Sequence, residues 1–348
     1  MAANLRRASH AVTPVAGNER VVAALRQHGY RVIDFDGSTW SEPVQAEPVL
    51  TLQDSGYDLA IVATQSTALE KALTSALPHL KHDAPIVVCQ NGLPEERARK
   101  VLTAAGADPR RVVGCVVGWG ASMVEPGVFK RTSRGGLQLG ASDSVDAASI
   151  ARMLECTSPG SPVVVASDLA GVRWSKLAIN CVTTTLGALG GAALGPLLAH
   201  RHVRRLALEV FAEVVAVAQA EGVRIQPVSG TLAIDDIAIT PRERGYRVGS
   251  PSLAYKHAVL LAVGFKYRKM RSSMLYALER GRPLEIEHLN GEVVRRGAEH
   301  GVPTPVNSML VSEVHALART EKRPARHNLR RVWESAIANG AHGSAGAT

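Results

Sequence analysis

Residues 174–199 read Trp-Ser-Lys-Leu-Ala-Ile-Asn-Cys-Val-Thr-Thr-Thr-Leu-Gly-Ala-Leu-Gly-Gly-Ala-Ala-Leu-Gly-Pro-Leu-Leu-Ala, and they separate two halves of different character. No charged residue stands between Lys176 and His200, so one lysine heads an apolar stretch that predicts a single buried helix. On such a helix Lys176, Asn180 and Thr184 fall within an arc of roughly 80°. A polar stripe on a helix fit for burial is costly unless something satisfies it, and a ligand is one candidate. Gly187, Gly191 and Gly195 repeat at the same spacing and leave a strip free of side chains. Taken alone, the segment reads as a core helix whose lysine snorkels out at one end.

Upstream of it, short apolar runs alternate with helical stretches. Residues 10–16, 30–35, 57–63, 85–89 and 111–118 have strand composition, and 136–139 resembles a later edge strand. Helices are expected over 18–28, stopped by Gly29, and over 67–80 and 94–105. This alternation predicts a mostly parallel sheet covered by helices on both faces. Downstream, nearly everything is helical: 203–221 stopped by Gly222, a long helix over 253–281 weakly interrupted at Gly264, and 283–300 opening on Pro283. Ile286, Leu289 and Val293 line the apolar face of that last helix. Residues 339–348 are rich in Gly, Ala and Ser and predict a frayed end. The expected architecture is an α/β domain over 1–167, an all-helical domain over 168–335 and a flexible tail over 336–348.

The bulk numbers narrow the function. A chain of 348 residues with 46% hydrophobic content can bury two ordinary cores. Its formal charge of +9 suggests anionic partners. The basic run 322–327 and Arg330-Arg331 carry no interleaved aromatic residues, so nucleic acid is not expected. A solvated basic face, or attraction of phosphate-bearing small molecules, fits better. Cys89, Cys115, Cys156 and Cys181 lie far apart without a CxxC pair, which argues against zinc and disulfides and for reduced cysteines in the cytoplasm. Residues 1–20 lack the apolar core of a signal peptide. The uncharged run after Lys176 could span a bilayer by length, but its four glycines and three threonines suit a buried soluble helix. No membrane role is expected.

Three further features could carry chemistry. Asn91-Gly92 follows a buried strand, where parallel sheets bind ligands, although the pair is also an ordinary turn. Glu285 falls in the first turn of a predicted helix, where a carboxylate is favourable anyway. Ser272-Ser273 is a polar step in a long-side-chained helix. Each is unspecific alone, but their order is not. Asn-Gly after a strand, Trp-x-Lys-Leu-Ala-x-Asn over 174–180, Ser-Ser-Met-Leu over 272–275, Glu-Ile-x-x-Leu-Asn-Gly over 285–291 and Gly-Val-Pro-Thr-Pro-Val-Asn over 301–307 together resemble the ketopantoate reductase (2-dehydropantoate 2-reductase) family.

That resemblance implies a Rossmann domain joined to a helical substrate domain. It also implies NADPH-dependent reduction of 2-dehydropantoate, or a similar small 2-oxo acid, in the cytoplasm. Lys176 then matches the general acid. Hydride arriving at a 2-oxo carbon leaves negative charge on oxygen, which an ammonium stabilises and protonates. Glu285 matches the glutamate that orients the lysine, the substrate or the cofactor. Asn180 and Ser273 match substrate ligands, Asn91 a residue touching cofactor and substrate, and Ala121 a loop residue near the cofactor.

The departures cluster on the cofactor side. The family's opening strand and Gly-x-Gly-x-x-Gly have no counterpart, and residues 4–10 look like the end of the helix that follows them. A wrongly assigned start is the expected reason, with truncation in a degenerate protein as the other. The basic residue favouring a 2′-phosphate corresponds to Gly17, with Arg20 one turn on as its substitute. The lysine usual after the third strand corresponds to Gln65, and a second substrate-side asparagine to Thr184. NADPH is therefore the expected cofactor with NADH as the alternative, no metal is expected, and a homodimer has room to form. The rival expectation is a catalytically silent member acting as a binding or oligomerisation module.

Overall fold

Val87 packs on one hydrophobic cluster while Ile86 and Val88 pack on another, and this alternation places apolar layers on both faces of one sheet. A computed structural model describes residues 1–50, 55–228, 233–244 and 250–343, with side chains in the last helix as far as residue 336. It divides into two compact units: 1–90 with 94–169, and 91–93 with 170–348. Among the described residues no helix is long and apolar enough to cross a membrane.

The first unit contains strands β1 (Tyr30–Ile33), β2 (Thr39–Glu42), β3 (Ala60–Val62), β4 (Ile86–Val88), β5 (Val112–Val117), β6 (Ala121–Glu125), β7 (Val128–Arg131), β8 (Leu137–Gly140) and β9 (Val163–Val165). Its helices are α1 (Ala2–Arg7), α2 (Glu19–His28), α3 (Leu69–Ala76), α4 (Pro94–Ala104) and α5 (Ala147–Leu154). The main sheet has the order β3-β4-β5-β8-β9. Strands β3, β4 and β5 run parallel, as do β8 and β9, while β5 meets β8 antiparallel. Leu69 and Leu73 of α3 and Ala98 and Leu102 of α4 cover one face, and Leu5, Ile150, Ala151 and Leu154 cover the other. The sheet is thus Rossmann-like and mostly parallel, with helices on both sides.

Several sequence expectations need correction in this unit. Residues 10–16 form no strand, only a single bridge from Val15 to Glu47, because Pro14 has no N–H to offer a ladder. The segment 136–139 becomes β8, an interior strand, and β9 is the edge that sequence pattern did not reveal. A second sheet, β2-β1-β7-β6, was not anticipated; Tyr30 and α2 residues Val21, Val22 and Leu25 form its small core. Strand β3 pairs only with β4 among the described residues.

The second unit is helical: α6 (Leu169–Gly190), α7 (Leu194–Leu198), α8 (Arg201–Ala220), α9 (Ile234–Ile237), α10 (Pro241–Arg244), α11 (Pro251–Lys266), α12 (Ser273–Glu279), α13 (Asn290–Glu299), α14 (Pro305–Ala318) and α15 (Arg326–Gly343). One continuous apolar core joins α6, α8, α13 and α14, with Leu177, Leu189, Leu206, Val214, Val293 and Leu310 almost fully buried. Helix α6 supplies seventeen buried residues and is its axis.

Three predicted helices break where tertiary contacts take over. The 174–199 stretch ends its first helix at Gly190, because Gly191 takes φ +64° beneath Pro324, and restarts as α7. The 253–281 stretch stops at Lys266, and α12 begins after Ser272, whose hydroxyl caps Leu275 N. The 283–300 stretch is irregular up to a short 3₁₀ turn over Ile286–His288, and Leu289 at φ −116°, ψ −101° blocks helix until Asn290. The expected frayed end is helical to Gly343; residues 344–348 lie outside the described residues.

Candidate active site

The polar stripe is present on α6. Asn180 is 6% exposed and Thr184 8%, whereas Lys176 is partly exposed. The amide nitrogen Nδ2 of Asn180 is buried and has no hydrogen-bond partner, and the same holds for Ser175 Oγ. A buried donor without an acceptor costs about 1–3 kcal/mol, so two on one helix call for an occupant. Lys176 makes no hydrogen bond or ion pair among the described residues. Burial first, and the charge of Arg173 second, hold its ammonium below the usual lysine range.

Two fastenings set other residues against α6. Ser272 Oγ donates to the Thr184 carbonyl at 2.5 Å, and the missing side chain of Gly187 leaves room for Ser272. Ser273, the next residue, starts α12 and is exposed. Lower down, Thr185 Oγ1 donates to Asn290 Oδ1 at 2.6 Å, and Asn290 Nδ2 donates to the Cys181 carbonyl at 3.4 Å and to Asn307 Oδ1 at 2.8 Å. This fixes the segment that begins with Glu285. The Asn91-Gly92-Leu93 turn belongs to the same unit: Leu93 packs on its core, and Gly92, at φ +81°, lies so close to the His288 carbonyl that no side chain would fit.

Lys176, Asn180, Thr184, Ser273, Glu285 and Asn91 therefore all belong to the helical unit. Gln65, Ala121 and Arg20 belong to the α/β unit and are exposed. Gln65 follows the carboxyl end of β3, whereas Ala121 starts β6 and Arg20 lies in the first turn of α2, both with the second sheet. The structure does not join these three by any hydrogen bond among the described residues.

A dinucleotide pyrophosphate is held by a row of free amides after a glycine-rich turn. Here the short α1 opens with Met1, whose side chain packs against the sheet core and whose buried amine is held below its ordinary value by desolvation. No glycine-rich strand-to-helix turn stands among the described residues.

Sequence reasoning missed Arg173 and Ser175, both buried beside the lysine, and Glu213. Glu213 receives hydrogen bonds from Val306 N, Asn307 N and Asn307 Nδ2 at 2.7–2.9 Å and so caps α14 from another helix. Asn290 and Asn307 were visible in the quoted motifs, but nothing local marked their partner.

Residues 1–144 match the family model described as ketopantoate reductase PanE/ApbA, and 168–318 match its C-terminal counterpart. The chain is 26% identical over 336 residues to the 2-dehydropantoate 2-reductase of Mesorhizobium japonicum, covering 91% of this chain and 94% of that one. Its fold is similar to the crystal structure of a PanE/ApbA family ketopantoate reductase from Ralstonia eutropha, at TM-score 0.72 and 25% identity, with 92% and 94% covered. It is also similar to D-mandelate dehydrogenase with NADH and anilino(oxo)acetate, at TM-score 0.74 and 19% identity over the same shares, a likeness of fold.

Proposed function

Because the chain belongs to the ketopantoate reductase family, whose curated members are oxidoreductases acting on a CH–OH group, we propose that it reduces 2-dehydropantoate, or a similar 2-oxo acid, to the 2-hydroxy acid in the cytoplasm. NADPH is the proposed reductant, with NADH as the alternative.

The observation that carries this reading is the buried, unpartnered Asn180 Nδ2 one turn along α6 from Lys176. An oxo acid offers what both lack: oxygen acceptors for the amide and a carbonyl that gains negative charge as it is reduced. Asn180 donates to the substrate and sets its position. Lys176, whose proton is held less tightly than in free lysine, stabilises the developing charge and gives its proton to the new hydroxyl oxygen. Thr184 and Ser273 supply shorter hydroxyl contacts, and Asn91 and Glu285 complete the set. Thr184 reaches less far than an asparagine and so shapes which oxo acid is held. A homodimer belongs to the same reading, with exposed Tyr255, Leu261 and Phe265 on α11 as the apolar surface it would use.

The alternative reading is a silent member that binds the oxo acid without reducing it. Turnover of 2-dehydropantoate, followed by loss of reduced-nicotinamide absorbance with each cofactor, separates the two. Oxidation of either cofactor that depends on Lys176 supports the enzyme. Binding of the oxo acid with no oxidation of either supports the silent module.

A further inference from the structure

The backbone that carries the exposed basic run near the C-terminus is held in place. Ala325 N donates to the Leu189 carbonyl at 2.8 Å and Asn328 Nδ2 donates to the same oxygen at 3.2 Å. Asn328 and Leu329 are fully buried, and Pro324 sits over Gly191. The start of α15 is thus clamped onto the end of α6, which fixes the backbone that carries Arg326, His327 and Arg330. Together with His200 and His202 at the start of α8, they line an open cavity of about 570 Å³. That size suits a small ligand.

Its electrostatics are one-sided. Helices α8 and α15 both begin here, and neither carries an acidic residue in its first turn. His200 caps α8 without giving its amides a side-chain acceptor. Cations at the positive ends of two helices are each unfavourable by about 0.3–1 kcal/mol, and an anion reverses the sign. Arg326 donates to His200 Nε2 at 2.5 Å, so that ring is neutral there, and His202 Nε2 is buried without a partner. The nearby carboxylate of Glu334 is spent on Arg330 at 2.8 Å. Burial, then the nearby arginines and the neighbouring ring, keep His200 and His202 below the usual histidine range. Among the described residues no group of His, Cys, Asp and Glu could hold a metal ion.

We propose that the cavity lined by His200, His202, Arg326, His327 and Arg330 binds a phosphate-bearing small molecule. Two guanidinium groups and two helix starts favour the higher charge and the larger number of acceptor oxygens of a phosphate group over those of a carboxylate. The site lies beyond the far end of α6, roughly 20 Å along the helix from Lys176, and is separate from the stripe.

Calorimetric titration of the intact chain with inorganic pyrophosphate tests this, at constant ionic strength and against the variant R326A/R330A. Pyrophosphate is expected to bind once, with affinity at least about tenfold weaker in the variant. Binding should tighten as pH falls below the usual histidine range, where His200 and His202 gain protons, and malonate should bind more weakly. Both arginines are exposed, so the variant keeps its fold, which its unfolding midpoint checks; R326K/R330K should restore part of the affinity. Absence of saturable binding, equal binding by R326A/R330A, or malonate binding as tightly as pyrophosphate would overturn the proposal.

Discussion

Ser272 Oγ donates to the Thr184 carbonyl at 2.5 Å while the same oxygen accepts from Leu275 N, so one hydroxyl both caps α12 and ties it to the centre of α6. The tie works only because residue 187 is glycine. A Cβ there would sit 2.5 Å from Ser272 Cβ, and Ser272 is buried. Gly187→Ala should therefore push α12 off α6 despite alanine's better helix propensity. The expected loss is about 1–3 kcal/mol in urea unfolding, with a raised KM for the oxo acid because Ser273 moves too. An alanine variant as stable as the parent would mean that the two helices are not in firm contact.

Lys176 offers a test that separates catalysis from stability. If it is the proton donor, Lys176→Ala should lower kcat by about 10²–10⁴. The pH profile follows from the direction of the shift. A lysine held below its ordinary value loses its proton earlier, so turnover should fall as pH rises through that lowered value, before free lysine titrates. Stability moves the other way: burial and Arg173 penalise the ammonium fully below the lowered value, and the penalty fades as pH climbs to the unfolded lysine value. Lys176→Met keeps the stem without the charge and should unfold at a higher midpoint at neutral pH, with the gain vanishing in alkali. A variant that is inactive and also less stable at neutral pH would point to a structural lysine.

Asn180 should behave as a binding residue with little structural cost. Its Nδ2 makes no hydrogen bond to lose. Asn180→Leu keeps the branched shape and removes the donor without burying a charge, and KM should rise by roughly 10–100-fold while the urea midpoint does not fall. A fall in kcat without any change in KM would place the amide elsewhere than on the bound oxo acid.

How much of this was legible in the sequence depends on how local each signal is. Asn18 and Gly29 bracket α2 as their residue types predict, because a cap needs only its own next turn. The stripe on α6 was legible for the same reason: helical spacing alone places Lys176, Asn180 and Thr184 together. The breaks at Gly191, Ser272 and Leu289 were not, since each is set by a partner far along the chain. Strand β8 looked like an edge because its short run ignores β9, which pairs from beyond α5. The basic run is exposed as its charges predict, but the hold of Leu189 on Asn328, 139 residues along the chain, has no local signal.

Glu213 is another such case, 93 residues from Val306, and it carries the last prediction. Burial pushes its carboxyl up to about 7, against three N–H donors and the charge of Arg244, which pull it down. A group whose folded value is raised binds its proton more tightly in the native state. Its contribution to stability is full below the ordinary carboxylate range and is lost as pH rises towards about 7. Urea midpoints of the parent should therefore decline across that window by more than those of Glu213→Gln, which cannot titrate. The glutamine keeps one acceptor but turns an amino group towards the α14 amides, so at the acid end it should be weaker by about 1–3 kcal/mol. Since Asn307 joins Glu213 to Asn290, and Asn290 joins Thr185, the same substitution should loosen the segment carrying Glu285. Hydrogen exchange at residues 285–290 should quicken in the variant. Equal slopes in the two pH series, or unchanged exchange there, would show that the cap and the segment are independent.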